Sequence, residues 1–247
     1  MHISLAAEKI IEVGPVAITN TMIVTWVVIL LLSIVSILVV RNIKEIPGKL
    51  QNFWEFIIEA ILGMIENFTG DRKKAEKMLP IVATLFIFII TANWIGLIPG
   101  FETIGRWEIQ NGQHVLIPFL RPPAADLNTT LALAIISVVT VQIFGFSYLG
   151  FKYIKKFINF KGPIQFFVGF IEGISEFAKI ISFSFRLFGN IFAGAVLLAV
   201  VSFLIPAIAA IPFYGLEMFV GFVQALVFAM LTTVFIFLAT QSHEEEH

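Results

Sequence analysis

The 247-residue chain is 58% hydrophobic and only 13% charged, proportions that lie far outside the range of soluble domains. Its formal net charge of −1 argues against nucleic acid as a partner, because phosphate binding needs a concentrated basic face. The sequence contains no cysteine, which excludes disulfides, thiol redox chemistry and cysteine-ligated zinc. From its length and its hydrophobic share we expect a single domain whose solvent is the lipid bilayer.

The N-terminal region does not have the pattern of a secretory signal. It contains Glu8, Lys9 and Glu12, and it has neither a basic leader nor a small-residue cleavage site after the first apolar run. We therefore interpret the apolar run 21–40 as a retained membrane span, preceded by an external N-terminus, 1–20.

The stretch 50–69, LQNFWEFIIEAILGMIENFT, has the pattern of an amphipathic helix. Apolar residues recur at helical spacing, and Glu55, Glu59 and Glu66 occupy the other face. Interfacial helices that bind anionic lipid usually carry Lys or Arg on the polar face, whereas this face is acidic. We predict a helix that lies at the cytoplasmic membrane surface, with its polar side toward water or another subunit.

Two further apolar runs, 79–98 and 127–150, are each close to the roughly 20 residues that a helix needs to cross the hydrocarbon. Lys and Arg number seven between residues 41 and 79, two between 100 and 126, and four between 151 and 163. Because cytoplasmic loops carry the excess of positive charge, 41–79 and 151–163 are expected in the cytoplasm and the N-terminus outside.

The last apolar stretch, 163–241, is broken by Pro206 and Pro212, so we predict a helical hairpin with an external turn and a cytoplasmic tail, SHEEEH. As a continuous helix its first arm, 163–205, would be roughly 60 Å long, twice the hydrocarbon thickness, so it must tilt steeply, bend or break. The predicted fold is an all-α integral membrane protein with five membrane helices and one amphipathic interfacial helix, the last two membrane helices forming a long, steeply tilted hairpin.

A polar stripe follows the first arm of this hairpin. Its members are spaced by 4, 3, 3, 4 and 4 residues, which places them on one helix face, and they are Glu172, Glu176, Lys179, Ser182, Arg186 and Asn190. The second arm adds Glu217 and, seven residues later, Gln224. Because each charge at mid-membrane costs at least about 2.5 to 3.5 kcal/mol, this set needs a compensating role or pairing.

Arg186 is the member that pairing explains least. Glu176 and Lys179 can pair with each other three residues apart, and Glu172 lies near the cytoplasmic headgroups, so structure and function explain these three equally well. Arg186 has no acidic residue three or four positions away, and its guanidinium cannot lose its proton. We expect its counter-charge from elsewhere; the alternative is an arginine that packs helices by bonding backbone carbonyls and Gln224.

Four motifs stand out along the chain: RLFGNIFAG at 186–194, NWIGLIPG at 93–100, ADLNTTLALA at 125–134 and QALVFAMLTTVFIFL at 224–238. With these motifs the sequence resembles subunit a of the F-type ATP synthase, the membrane stator beside the rotating ring of c subunits. Their order and spacing match that family along nearly the whole chain from residue 20.

The resemblance implies that Arg186 is the essential stator arginine, which faces the carboxylate of the c-ring, and that two offset aqueous half-channels conduct protons. The outer half-channel is expected along Glu217, Gln224, Asn190, Asp126, Asn128 and Asn93. The cytoplasmic half-channel is expected along Glu172, Ser175, Glu176, Lys179 and Ser182. Many relatives carry Glu or His where this chain has Ala195, so Glu217 alone is expected to supply the titratable group of the outer channel.

Three of the polar residues also have a structural interpretation. Asp126 follows two prolines and precedes LNTTLALA, which is the pattern of a helix N-cap, and we favour capping over proton relay. Gln142 and Asn93 lie within spans, where such amides more often make hydrogen bonds between helices than line a channel.

The resemblance further implies a non-catalytic subunit that binds no cofactor, metal or nucleotide itself. Its implied partners are the c-subunit ring, the b subunits of the peripheral stalk, the remainder of the ATP synthase complex and the lipid bilayer. The implied location is a bacterial plasma membrane, with a chloroplast thylakoid as the alternative.

Two other classes of function fit the sequence less well. A self-contained secondary transporter or channel would use Glu172, Glu176, Lys179 and Arg186 as its own path, but such folds often show internal repeats and the sequence shows none. An intramembrane enzyme would need metal-ligand or nucleophile–base spacing, and the histidines fall in loops or termini, at His2, His114, His243 and His247.

Overall fold

The structure, a computed structural model, describes residues 7–13, 16–110, 113–157, 162–204 and 210–241. Its helices are α1 Asn20–Arg41, α2 Lys49–Thr69, α3 Arg72–Ile95, α4 Leu127–Leu149, α5 Phe151–Phe157, α6 Pro163–Leu204 and α7 Ala210–Thr240. Its strands form two antiparallel hairpins, in which β1 Lys9–Val13 pairs with β2 Val16–Thr19 and β3 Gly105–Gln110 pairs with β4 Gln113–Pro118.

Five of the helices, α1, α3, α4, α6 and α7, are long and apolar enough to cross a membrane. This confirms the predicted all-α membrane fold with five membrane helices. The amphipathic α2 is not one of the five: its C-terminal half buries Ile61, Leu62 and Ile65, whereas its N-terminal half exposes Phe53 and Phe56.

Helix α3 begins earlier than the apolar run that predicted it. The Asp71 side chain accepts a hydrogen bond from the Lys73 backbone N–H at 2.9 Å and so caps a helix that starts at Arg72. Hydropathy places the start where charges end, near residue 79, but the cap and three carboxylates around Arg72 (Glu59, Glu66 and Glu76) allow a charged first turn.

The long hairpin differs from the prediction at one proline. Helix α6 is continuous over 42 residues, and α7 already contains Pro212 as its third residue. Proline is tolerated there because first-turn N–H groups have no partner within the helix. The other predicted break, Pro206, and the tail SHEEEH lie outside the described residues.

The two β-hairpins were not predicted from the sequence. They meet at the start of α1, where the Asn20 N–H donates to the Glu8 carbonyl at 3.1 Å and the Asn20 side chain donates to the Pro118 carbonyl at 3.2 Å. Asn20 is fully buried by these contacts. The hairpins therefore cover one end of the helix bundle.

The core lies where α3 packs on α7 and where α4 packs on both α6 and α7. Ile65, Met78, Ile89 and Ile236 are fully buried there. Between helices, small polar side chains bond directly: Ser137 with Thr232 at 2.7 Å, and Thr130 with Ser184 at 3.1 Å. In a bilayer such contacts of small residues replace the hydrophobic drive that water would supply.

Candidate functional site

The polar stripe of α6 is divided into two environments by its neighbours. Glu176 is buried, because α4 and α5 pack beside it, and Lys179 is partly buried. Further along the same face, Ser182, Arg186 and Asn190 are exposed.

The Arg186 guanidinium lies on the open face of α6. Among the described residues the guanidinium has no hydrogen-bond acceptor and no acidic partner. The backbone carbonyl of Arg186 accepts a hydrogen bond from the Asn190 side chain at 2.8 Å. The alternative prediction, an arginine bonded to Gln224 and backbone carbonyls, has no such bond in the described part of the chain. A permanent charge within a membrane helix is thus presented outward, unpaired by its own chain as far as the structure describes it.

The opposite face of α6 is held firmly. Leu187 and Ser184 are buried, and the Phe183 ring centroid lies 4.9 Å from that of Phe228 on α7 and 5.6 Å from that of Phe235. Thr130 of α4 bonds to Ser184. Because these contacts fix the rotation of the helix about its axis, they also fix the outward direction of Arg186.

Glu217 enters the bundle from α7 and is only 8% exposed. Its carboxylate lies against Gly194 of α6, where any Cβ would overlap it. This glycine lets the carboxylate sit between the two arms of the hairpin. Gly194 lies about two turns beyond Arg186 on α6, on the buried side of that helix.

Asn93 and Trp94 at the end of α3 both bond to α7 near Glu217. The Asn93 amide donates to the Gly221 carbonyl at 3.0 Å, and the Trp94 indole donates to the Met218 carbonyl at 3.0 Å. The predicted interhelical role of Asn93 is therefore confirmed. The Asn93 Oδ1 atom is buried and has no hydrogen-bond partner among the described residues, so it can accept a further hydrogen bond.

The other residues predicted for the outer half-channel are more dispersed. Asp126 is the predicted N-cap of α4: one carboxylate oxygen accepts from the Asn128 N–H at 2.9 Å and the other from the Thr21 hydroxyl at 2.7 Å. The Asn128 side chain is exposed, and Gln224 is partly buried on α7.

The residues predicted for the cytoplasmic half-channel share the N-terminal half of α6. The predicted pair of Glu176 and Lys179 is confirmed at 2.7 Å. Glu172 is partly exposed, Ser182 is exposed, and the Ser175 hydroxyl donates to the Ile171 carbonyl at 3.0 Å.

Two polar residues near the site were not predicted from the sequence. Tyr153 of α5 donates to Gln142 at 2.8 Å and so joins the Glu176 site, and Arg121 is buried before α4, donating to the Ala125 carbonyl at 3.3 Å. Both lie in connecting segments, where no periodic pattern marks an inward side chain. Only the presence of polar groups beside long spans could have indicated them.

Comparison with known proteins identifies the group to which this arrangement belongs. The family model of the ATP synthase A chain matches residues 22–237. ATP synthase subunit a of Geotalea daltonii is 39% identical over 86% of this chain and 83% of its own, and that of Desulfotalea psychrophila is 38% identical over 98% and 97%. The subunit of Gloeobacter violaceus is 34% identical over 96% and 90%. The chain therefore belongs to the ATP synthase A chain family.

Proposed function

We propose that this chain is the proton-translocating stator subunit of a bacterial ATP synthase, in which Arg186 faces the carboxylates of a rotating c-subunit ring. The observation that carries the proposal is the outward Arg186 guanidinium, which no described residue pairs, on the open face of a continuous 42-residue helix. Membership of the family favours this function over a self-contained transporter or channel.

The guanidinium supplies a charge that other chains must balance. A c-subunit carboxylate takes a proton from the outer half-channel, turns through lipid while neutral, and releases the proton on the cytoplasmic side. A charged carboxylate facing lipid would be prohibitively costly. Arg186 attracts the ionised carboxylate as it passes and, being positive, blocks protons from crossing directly between the half-channels. Proton flow is thereby tied to rotation.

The length of α6 fits this geometry. At about 1.5 Å per residue, 42 residues span about 63 Å, twice the hydrocarbon thickness of about 30 Å. A straight helix of that length stays in the bilayer only when it tilts steeply. Steep tilt against a curved ring would give α6 a long contact with the rotor through its exposed small residues, among them Gly189.

The outer half-channel is proposed to end at Glu217. This carboxylate is buried between α6 and α7, and Asn93 of α3 bonds to Gly221, one turn along α7 from Glu217. The Asn93 Oδ1 atom has no partner among the described residues, so a water molecule that exchanges protons with the site could donate to it. Gln224, Asn190, Asn128 and Asp126 are proposed to line its remaining length. The cytoplasmic half-channel is proposed to pass the polar side chains in the N-terminal half of α6, which are Glu172, Ser175, Glu176, Lys179 and Ser182.

The topology proposed for the chain follows the distribution of Lys and Arg, with the N-terminus outside, the α2 segment in the cytoplasm and the C-terminus in the cytoplasm. The proposed direct partners are the c-ring, the b subunits of the peripheral stalk and the lipid bilayer. In this role the subunit binds no nucleotide and catalyses no reaction by itself; its energy reaches the catalytic subunits as torque.

The test is replacement of the stator arginine in the assembled complex. Arg186→Ala should lower ATP-driven proton pumping into inverted vesicles by at least about a hundredfold, because the ionised c-subunit carboxylate would lose its counter-charge. Each tenfold loss in rate corresponds to about 1.36 kcal/mol of lost stabilisation. Arg41→Ala, at an exposed arginine in the last turn of α1, is the matched control and should pump normally. Proton pumping that survives Arg186→Ala would refute the proposal.

A further inference from the structure

Four side chains from three helices form one hydrogen-bonded chain beside the polar stripe, which we name the Tyr153 cluster. The Tyr153 hydroxyl donates to Gln142 Oε1 at 2.8 Å, and Gln142 Nε2 donates to Glu176 Oε2 at 3.0 Å. The other oxygen of Glu176, Oε1, accepts from Lys179 Nζ at 2.7 Å. This series of hydrogen bonds thus connects α5, through α4, to α6.

The direction of every bond in the cluster is determined by its two ends. Burial, followed by the nearby charges of Glu176 and Glu172, raises the pKa of Tyr153 to about 12. The phenol therefore keeps its proton and acts as a donor, which turns the oxygen of the Gln142 amide toward it. The NH₂ group of that amide must then point at Glu176, where only an acceptor fits.

The Glu176 carboxylate consequently receives a donor on each oxygen, one of them a cation. Adding a proton to this carboxylate would remove the charge that Lys179 faces and weaken both hydrogen bonds. The side chains are well shielded, with exposed fractions of 11% for Glu176 and 23% for Lys179. Because water screens these charges poorly, removing one partner would leave the other as an unpaired, partly buried charge, which costs free energy.

Packing shows that the cluster is built into the fold. Tyr153 is 4% exposed, and its ring lies so close to Gly145 of α4 that any Cβ at that position would overlap it. The ammonium of Lys179 lies 4.4 Å from the ring centroid of Phe235 on α7, an attractive cation–π arrangement. Both ends of the cluster are therefore held by neighbouring helices.

We propose that Tyr153 and Gln142 are positioning residues that hold Glu176 as a constant anion, so that Glu176 and Lys179 form a fixed, neutral pair beside the proton path and Glu176 does not carry the proton. This inference rests on the proposed stator function, because it concerns the cytoplasmic half-channel. It removes both Glu176 and Lys179 from the residues expected to line the proton path and leaves Glu172, Ser175 and Ser182 along it.

Charge-neutral replacement separates a fixed pair from a proton carrier. Glu176→Gln alone leaves the Lys179 charge uncompensated near the path and should lower ATP-driven proton pumping by about tenfold or more. The double variant E176Q/K179M removes both charges and should recover pumping to within about threefold of the unmodified complex. Pumping that stays as low in the double variant as in Glu176→Gln, with normal amounts of assembled complex, would overturn the proposal.

Infrared spectroscopy of the purified complex tests the protonation state and the positioning role directly. The difference spectrum between the unmodified complex and its Glu176→Gln variant should contain carboxylate bands and no protonated-carboxyl C=O band throughout the pH range in which the complex pumps. Tyr153→Phe should shift those carboxylate bands, because it frees the Gln142 amide to rotate. The matched control is Tyr148→Phe, since the buried Tyr148 hydroxyl has no hydrogen-bond partner in the described part of the chain, and its spectrum should be unchanged.

A protonated-carboxyl band from Glu176, or equal effects of the two tyrosine replacements, would overturn the assignment. These outcomes are distinguishable from failure of the stator function itself. If Arg186→Ala continues to pump, the stator proposal fails; if Arg186→Ala loses pumping while the double variant does not recover, only the role of the Tyr153 cluster fails.

Discussion

Arg186 and Glu217 are both ionisable residues in membrane helices, but they meet opposite surroundings. Arg186 is exposed on α6 beside Gly189, where a Cβ would find open space, whereas Glu217 is buried against Gly194. Arg186 is therefore accessible to a neighbouring chain, whereas the Glu217 carboxylate is enclosed between α6 and α7. Two glycines of one helix thus serve different purposes, one thinning an outer surface and the other making room for a carboxylate.

Replacing Gly194 by alanine should damage the fold locally, because the new Cβ would overlap the Glu217 carboxylate. Because this carboxylate ends a flexible side chain, it can turn partly aside, so we expect a cost near the lower end of the about 1–3 kcal/mol typical of overpacking. We expect a lower Tm of the detergent-solubilised subunit and reduced pumping by the complex. Gly173→Ala, at an open position of the same helix, is the control and should leave the Tm equal or slightly higher. An unchanged Tm for Gly194→Ala would contradict this packing.

Asp126 offers a test of capping against proton relay. Asp126→Ala removes the α4 cap and the acceptor for Thr21 and should destabilise the subunit by about 1–2 kcal/mol, seen as a lower Tm. Asp126→Asn keeps an acceptor for the cap, so it should restore most of the Tm and, if the residue only caps, the pumping rate as well. Normal Tm with abolished pumping in Asp126→Asn would assign Asp126 to proton relay.

At the scale of elements, α6 combines one packed face with one open face along its membrane segment. Phe183, Ser184 and Leu187 pack it against α4 and α7. The neighbouring Ser182 and Arg186 remain exposed. The contrast arises because α4 and α7 flank the same side of the helix. An exposed face that carries a charge needs a polar or charged partner within the bilayer, and the proposed c-ring supplies it.

Single cysteines can map these two faces, since the sequence contains no other cysteine. Ser182→Cys is exposed and should form cross-links to a cysteine introduced on the adjacent ring helix. Ser184→Cys, two residues away and fully buried, should form none and should resist thiol reagents. Equal cross-linking at both positions would contradict the observed rotation of α6.

At the scale of the whole molecule, the two ends of the bundle are differently built. The β-hairpins and the segment before α4 close one end around Asn20, and the α2–α3 corner with its Arg72 and surrounding carboxylates marks the other. The proposed outer half-channel residues Asp126 and Asn128 lie at the first end, and α2 with its acidic face lies at the second. The two ends of the bundle therefore differ in their polar groups, which is consistent with the proposed pair of separate half-channels.

Orientation can be measured with a membrane-impermeant maleimide. Thr103→Cys, in the exposed loop before β3, should react in right-side-out vesicles, and Lys73→Cys, in the first turn of α3, should react only in inverted vesicles. The two substitutions control for each other, because both side chains are exposed. Labelling of Lys73→Cys from the outside would reverse the proposed topology.

The sequence by itself determined the membrane class, the five long helices, the amphipathic α2, the cap at Asp126 and the Glu176–Lys179 pair. Each of these depends on hydropathy or on contacts within one turn, which composition and spacing encode directly. Family motifs singled out Arg186. The sequence did not predict the two β-hairpins, whose short strands lack a periodic apolar signal, or the charged start of α3.

Only the tertiary structure decided which stripe residues are free and which are bound. Glu176 and Arg186 share one helix face, yet Glu176 is enclosed by Gln142 and Tyr153 while Arg186 is open. Helical periodicity specifies the direction in which a side chain points but not which neighbouring helix covers it at each height. That coverage depends on which helices pack beside α6 at each height, so it follows from contacts between residues far apart in the sequence.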